Sequence, residues 1–595
     1  MPNLHAGDLL VQMLIEYGVE RIYGMPGGQT TALHDAISRN EGKIRHILMR
    51  DERNAAYAAD GYARVTGKVG VCDVTVGPGT NLLPAGFLEA MNASIPMLGI
   101  VGDVPLDWLS LKQKGIASQG FDQVAFLKTC CKDAFQVPSL TAFPELIRTA
   151  FRIATAPRPG PVALVIPHEI FDADWDPDTL KAVTDNRTVH MPYLRSVAPP
   201  TGIQQAADLI AKAKRPALVC GGGVHGSDAA AEVTAFADRL GALVATSLSG
   251  KGSVPETRDY HAGVLNPLGS EAALKLVPEA DLIIWCGSKV SQNTGLNWTL
   301  PTAEQATITI DIDPLEHGRT FRPTVPLLGD VRETILALDA AMGDSRVDTN
   351  PDWHKRIAEV KADCTATRET EMASDQIPIQ PPRVMAEIAK RLRADDVMVS
   401  DASFSAGWIS GYLLAQKPGR QFVFARGQGG LGYSVPGAIG AAEVIPKGAK
   451  VVTLAGDGAF SYTVGELATQ AQYNQPIINV VINNGKLGWI NMWQKLYFDK
   501  TVSVDLERQG SVPGYADAAS ALGLKGIYVD KPDQIGAALD EAFAHDGPCV
   551  VEVRIDEDAT PIHSFKRRFS EPSDTKRARP GTVYKLREWK VSPDL

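Results

Sequence analysis

Short runs of consecutive apolar residues, each closed by glycine or a polar turn, recur along most of the chain. They alternate with stretches whose apolar positions fall three and four apart. Runs of the first kind read as strands buried on both faces, and stretches of the second kind as the helices that cover them. That alternation is the pattern of parallel α/β layers. In residues 1–172 the strand candidates include KVGVCDVTV, IPMLGIVG and PVALVIP. In 201–343 they are RPALVCGGG, ALVATS, ADLIIWCGS and ATITIDID, and in 379–560 DVMVSD, AKVVTLAGDG, PIINVVINN and PCVVEVRID. The pattern predicts an α/β chain of three consecutive doubly wound parallel-sheet domains, the outer two being candidates for distant copies of one architecture. Residues 172–200 are polar and proline-containing and read as a linker, and 344–378, charged and helix-prone, as a second connector. Residues 561–595 carry nine Lys and Arg against four acids and read as a basic tail, either a solvated strap or a lid.

Composition narrows the function classes. A chain of 595 residues is too long for one core. A net charge of −10 argues against a general nucleic-acid binder, whose footprint is basic. No stretch approaches the roughly 18 uninterrupted apolar residues of a membrane span, and the first residues lack a basic start followed by an apolar run. The seven cysteines are scattered and several sit in apolar runs, which suits buried free thiols in a reducing compartment; cytoplasm is the expected location.

The sharpest chemical signal is VVTLAGDGAFSYTVGELATQAQYNQPIINVVINN. A buried strand ends in Gly456-Asp457-Gly458, a helix is expected through Glu466 and Gln472, and a second strand ends in Asn483-Asn484. A right-handed crossover makes the two strands parallel neighbours, so Asp457 and Asn484 emerge at one carboxyl edge. A carboxylate and an amide oxygen there are hard donors for magnesium, and the flanking glycines let the backbone approach phosphate. Taken singly, each sequence is a common turn.

This stretch resembles the motif of thiamine diphosphate enzymes. The resemblance implies Asp457, Asn484 and the main-chain carbonyl of Lys486 as magnesium ligands, with Gly456, Gly458 and Ala459 at the cofactor. In HILMRDERNAAYAADGYARVTGKVGV, the run AADGYARVTGKVGV resembles the acetolactate synthases and implies Glu52 as the acid that activates the aminopyrimidine; Asp51 beside it is the competitor. A buried setting would raise such a carboxyl and ease proton sharing with the ring. GQGGLGYSVPGAIGA supplies Gly429 and Leu431, the latter at the place of the apolar side chain that bends the cofactor. IYGMPGGQTTALHDAI resembles the family's opening loop, with Gly27 and Gly28 facing the site. ASQGFDQVAFLKTCCK places Gln119, and NNGKLGWINMWQK places Trp489, Met492 and Trp493, on the substrate side.

The resemblance is nearest to acetolactate synthase and glyoxylate carboligase and extends to about residue 560. It implies a lyase or carboligase of small 2-oxo acids, assembled as a homodimer or homotetramer with Glu52 and Asp457 meeting across a two-fold interface. One departure stands out. Lys289-Val290-Ser291-Gln292-Asn293 replaces the Arg-Phe-Asp-Asp-Arg of acetolactate synthases, so Lys289 is the one cation left for the substrate pocket, and Lys does not grip a carboxylate as Arg does. Gly221-Gly222-Gly223 leaves FAD or ADP open as a central-domain ligand. A 2-hydroxyacyl- or oxalyl-coenzyme A lyase is the alternative enzyme. A catalytically silent cofactor-binding subunit is the alternative of another class, and the joint retention of Glu52, Asp457 and Asn484 argues against it.

Overall fold

The computed structural model describes residues 4–112, 115–343, 351–507 and 514–562. Its frame is three six-stranded sheets, every neighbouring pair parallel. The first contains β1 (Arg21–Gly24), β2 (Arg45–Leu48), β3 (Gly70–Val74), β4 (Met97–Asp103), β5 (Asp133–Gln136) and β6 (Pro161–Pro167). The second contains β7 (Pro216–Cys220), β8 (Leu243–Thr246), β9 (His261–Val264), β10 (Leu282–Cys286), β11 (Ala306–Asp311) and β12 (Val325–Leu328). The third contains β13 (Val397–Ser400), β14 (Phe422–Phe424), β15 (Val451–Gly456), β16 (Ile477–Asn483), β17 (Lys525–Val529) and β18 (Cys549–Arg554). Central strands such as β4, β6, β10 and β16 are buried at every position, as both faces are covered by helices.

The two outer sheets share one strand order, β2-β1-β3-β4-β6-β5 and β14-β13-β15-β16-β18-β17. The middle sheet runs β12-β11-β10-β7-β8-β9, which is the 3-2-1-4-5-6 order of dinucleotide-binding folds. In each outer sheet the order reverses after the first strand. Ligands of open α/β sheets bind at such a reversal, beyond the carboxyl ends of the strands.

The outer sheets are joined through helices Glu52–Thr66 and Ser434–Ala442, which meet backbone to backbone. A Cβ on Gly61 would lie 2.3 Å from the Gly437 carbonyl oxygen, and one on Gly440 1.9 Å from that of Ala58. Small residues are therefore a condition of this contact.

Both connectors pack onto the domains they join. The 172–200 stretch is a strap on the first sheet, with Trp175, Thr188 and Met191 buried and Thr155 Oγ1 donating to the Thr188 carbonyl over 3.2 Å. The second connector contains a 22-residue helix, Pro351–Met372, which buries Trp353, Ile357 and Val360 against the middle core. That spacing is a helical stripe, narrow enough to be hidden among charges. The basic tail expected over 561–595 lies, from 563 onward, outside the described residues. No helix among the described residues is long and apolar enough to cross a membrane, and all seven cysteines are free, six of them buried.

Candidate active site

The carboxyl edge of the third sheet carries the paired oxygen donors. Strands β15 and β16 are neighbours in parallel register, with Gly456 opposite Ile482, so Asp457 and Asn484 leave the sheet side by side. Asp457 is buried; its Oδ1 accepts from Gly458 N over 2.8 Å and its Oδ2 from Gly485 N over 2.7 Å. Burial pushes its carboxyl up to about 6, against these amide bonds and the more distant Arg554. A buried carboxylate with no salt bridge among the described residues is matched to a cation. Asn484 Oδ1 accepts from Lys486 N over 3.2 Å, and the Lys486 ammonium is drawn to Asp505 and Glu557, leaving its carbonyl as the donor it can offer. The expected helix through Gln472 is instead three short pieces, Asp457–Ser461, Val464–Glu466 and Leu467–Gln472. Gly458 and Ala459 are buried in the first of them, and Gly456 opens onto free space.

Glu52 opens the helix Glu52–Thr66. Asp51 caps it, its carboxylate accepting from Arg53 N over 2.8 Å. The cap occupies Asp51 and leaves Glu52 uncommitted. Glu52 is half-buried, and burial, with the nearby Asp51 and Asp73 charges, raises its carboxyl. Its Oε1 lies 3.0 Å from where a Cβ on Gly79 would stand, so Gly79, unnoticed in the sequence, makes room for it.

The loops around Glu52 are fixed by buried polar side chains. Gly27 packs onto Thr75 (a Cβ there would lie 2.2 Å from the Thr75 Cβ), whereas Gly28 faces open space. Gln119 is exposed, with φ of 63°, and its carbonyl backs onto Gly77. Gln123, four residues on, was not singled out by sequence, yet it holds this region. Its Oε1 accepts from Gly77 N over 3.1 Å and from Thr80 Oγ1, and its Nε2 donates to the Gly102 carbonyl over 3.0 Å.

Gly429 and Leu431 sit on a loop clasped from two sides. Glu89 of the first domain accepts from Gly427, Gln428 and Gly429 N over 2.7, 2.6 and 3.1 Å, while its Oε1 also pairs with Arg64 at 2.9 Å. Asp401, at the end of β13, accepts from Gly432 N over 3.1 Å and Ser434 N over 2.9 Å. Glu466, from the segment after Asp457, accepts from Arg50 N over 2.9 Å and Asn54 Nδ2 over 3.0 Å, the residues that bracket Glu52. Glu89, Asp401 and Glu466 had no signal beyond being acids in helical or strand-end sequence. Their role is a matter of what folding brings near them.

Helix Gly488–Phe498 carries the aromatic group. Trp489 and Trp493 are half-buried, with Phe404 5.3 Å and Trp493 6.2 Å from Trp489 between ring centroids. Met492 is buried against Leu268 and Ile562. Lys289 is elsewhere: its Nζ donates to the Asn92 carbonyl over 2.7 Å and to Ser94 Oγ over 3.0 Å, and burial pushes it down to about 8. It lines a cavity of about 360 Å³ at the reversal point between β7 and β10, together with Gly221, Gly222, Gly223, Ser288 and Asp311.

Comparison with known proteins identifies the three domains. Residues 4–126 match the thiamine pyrophosphate enzyme N-terminal TPP binding domain, 203–338 the central domain, and 401–553 the C-terminal TPP binding domain. A probable acetolactate synthase large subunit of Methanococcus aeolicus is 31% identical over 574 residues, covering 93% of this chain and 92% of that protein. The corresponding protein of Methanocaldococcus jannaschii is 32% identical, covering 93% and 92%. The acetolactate synthase isozyme 2 large subunit of Escherichia coli K12 is 32% identical over 556 residues, covering 93% and 96%. With three consecutive domains in the same order and relatives matched along nearly their whole length, the chain belongs to the acetolactate synthase-like family of thiamine diphosphate-dependent enzymes.

Proposed function

We propose that this enzyme is a C–C bond lyase or carboligase of small 2-oxo acids, with Glu52 as the activating acid and Asp457, Asn484 and the Lys486 carbonyl holding magnesium. The observation that carries the reading is Asp457, buried beside Asn484 at a sheet edge with no salt-bridging cation among the described residues. When bound, thiamine diphosphate would supply a nucleophilic carbon and a thiazolium ring able to take up the electron pair released as the substrate's C–C bond breaks. The protein's part is positioning and proton control. Glu52, raised by burial, shares a proton with the pyrimidine nitrogen. Gly456, Gly458 and Ala459 admit the diphosphate, Leu431 and Gly429 support the rings, and Gly27, Gly28 and Gln119 face the substrate. Trp489 and Trp493 keep water from the reacting centre, with Met492 packed behind them. Residues 1–172 and 379–560 serve as the pyrimidine and diphosphate domains.

The relatives named as acetolactate synthases favour a free 2-oxo acid over an acyl-coenzyme A. The cavity at the β7–β10 reversal, with its glycines and Asp311, suits the ADP moiety of FAD or ADP itself, with Lys289 in its wall. We assign the chain to a homodimer or homotetramer. Trp108, Leu109, Leu111 and Ile116 are exposed close together in sequence on the segment after β4, and Tyr462, Ile490 and Phe498 on the third domain, which offers apolar surface for a partner chain to cover. The free thiols suit the cytoplasm.

The test pairs C2 proton exchange of bound cofactor with a substrate panel. Wild-type exchange that falls about 10²–10⁴-fold in Glu52→Gln, with turnover of a 2-oxo acid, is the expected result. Absence of exchange in the wild type overturns the enzyme reading. Turnover confined to acyl-coenzyme A substrates overturns the substrate class, and a yellow purified protein identifies FAD.

A further inference from the structure

Among the described residues, one group of three side chains able to ligate a metal ion stands outside the proposed thiamine diphosphate chemistry: His34, His46 and Asp73. They come from three elements of the first domain. His34 lies on the helix Thr31–Ser38, His46 on β2 and Asp73 on β3. The Asp73 carboxylate is fully buried, with Oδ1 2.8 Å from His46 Nε2 and Oδ2 3.3 Å from His34 Nε2. The two imidazoles meet edge to face, 4.7 Å apart, and the ligand atoms of the three residues all lie within 4.8 Å of one another. Oδ2 has only His34 Nε2 near it, which Thr30 Oγ1 also approaches at 3.4 Å, and no Lys or Arg among the described residues makes a salt bridge to this carboxylate.

The backbone has been cleared for this carboxylate. Gly24 is its register partner on β1, and a Cβ there would lie 1.9 Å from Oδ1. Two imidazoles converging on a fully buried carboxylate, with no Lys or Arg paired to it among the described residues, form a donor set whose charge either protons on the imidazoles or one divalent ion can balance. Nitrogen, nitrogen and carboxylate oxygen together suit zinc, cobalt, nickel or iron(II) better than magnesium, which prefers an all-oxygen shell. Donors placed tetrahedrally about zinc stand about 3.3 Å apart; the His34–Asp73 distance matches this, and the 2.8 Å His46–Asp73 contact would open slightly as the ion enters.

We propose that His34 Nε2, His46 Nε2 and the Asp73 carboxylate bind one divalent transition-metal ion of the zinc class, at a site distinct from the magnesium pair Asp457 and Asn484. Three protein ligands leave a position for water, and the His34 side chain, 20% exposed, gives the ion its entry. The ion joins the Thr31–Ser38 helix to β2 and β3, around the β1 turn that carries Gly27 and Gly28. It acts as a staple for that loop.

The test uses the full chain kept in excess thiamine diphosphate and Mg²⁺, so that the other cation site stays filled. Zn²⁺ or Co²⁺ is added at controlled free concentration, and metal per chain is measured by elemental mass spectrometry. The expected result is about one equivalent of tightly held Zn²⁺, and for Co²⁺ the intense visible bands of a four-coordinate site. His34→Ala and Asp73→Asn each weaken binding by more than the roughly 10–100-fold that loss of an outer-shell partner costs. His34→Ala is the informative variant should Asp73→Asn fail to fold, because Asp73 keeps its His46 contact. No bound equivalent in the wild type at micromolar free Zn²⁺ overturns the proposal in favour of a hydrogen-bonded triad. Unchanged stoichiometry and affinity in His34→Ala overturns it in favour of binding elsewhere.

Discussion

Asp457, proposed to hold magnesium, works against the fold that surrounds it. Its carboxyl is raised from an ordinary 3.8 to about 6 by burial, so in cofactor-free protein folding favours the protonated form. The folded state binds the proton more tightly than the unfolded chain, so stability is highest below pH 4 as far as this group is concerned. It falls as pH rises from about 4 to 6 and stays low above that. The cost of the bare anion at neutral pH is on the order of 3 kcal/mol. Asp457→Asn should therefore stabilise the cofactor-free protein by that order at pH 7 to 8, and by little at pH 4, while abolishing Mg²⁺-dependent thiamine diphosphate binding. Urea unfolding at the two pH values and cofactor titration check both halves. The motif around Glu52 makes it the sequence's candidate for the activating acid, with Asp51 as its competitor because adjacency cannot separate two acids. The cap bond from Arg53 N to Asp51 separates them, and that is a feature of the turn's geometry.

Among elements, the loop bearing Gly429 and Leu431 is shaped by a clasp from another domain. Glu89 accepts three consecutive amides of that loop and also neutralises the buried Arg64, which pairs with Asp60 as well. Removing Glu89 leaves three loop amides without their acceptor and Arg64 with Asp60 alone. Glu89→Ala should cost about 3–5 kcal/mol in urea unfolding and raise the dissociation constant for thiamine diphosphate. Glu89→Gln, which keeps an acceptor, should recover part of both. Central strands were legible because burial on both faces writes an unbroken apolar run, as in PVALVIP. Edge strands were not. β5 (DAFQ), β12 (VPLL, alternately buried and exposed) and β17 (KGIYV) are half-covered and short, so nothing in their sequence exceeds the background of turns. The Glu89 clasp was beyond reach for a further reason: its partners lie more than three hundred positions away and are backbone amides, which have no identity in sequence.

Across the whole molecule, the outer sheets share one strand order, the common architecture suspected from sequence, and the middle sheet's different order sets it apart. If the active sites lie between chains, specific activity should fall on dilution in step with the loss of dimer on sizing, and a stable active monomer would refute that arrangement. The junction of the outer sheets has a further consequence. Gly61 against Gly437, and Gly440 against Ala58, touch through backbone atoms, with no side chain that could shrink, swap or re-angle to accommodate a neighbour's change. Positions that tolerate no alternative cannot vary in concert. These glycine contacts should be silent to any method that finds contacts by correlated variation, unlike the Tyr57–Tyr433 pair beside them, while saturation mutagenesis of Gly61 or Gly440 should return glycine almost alone.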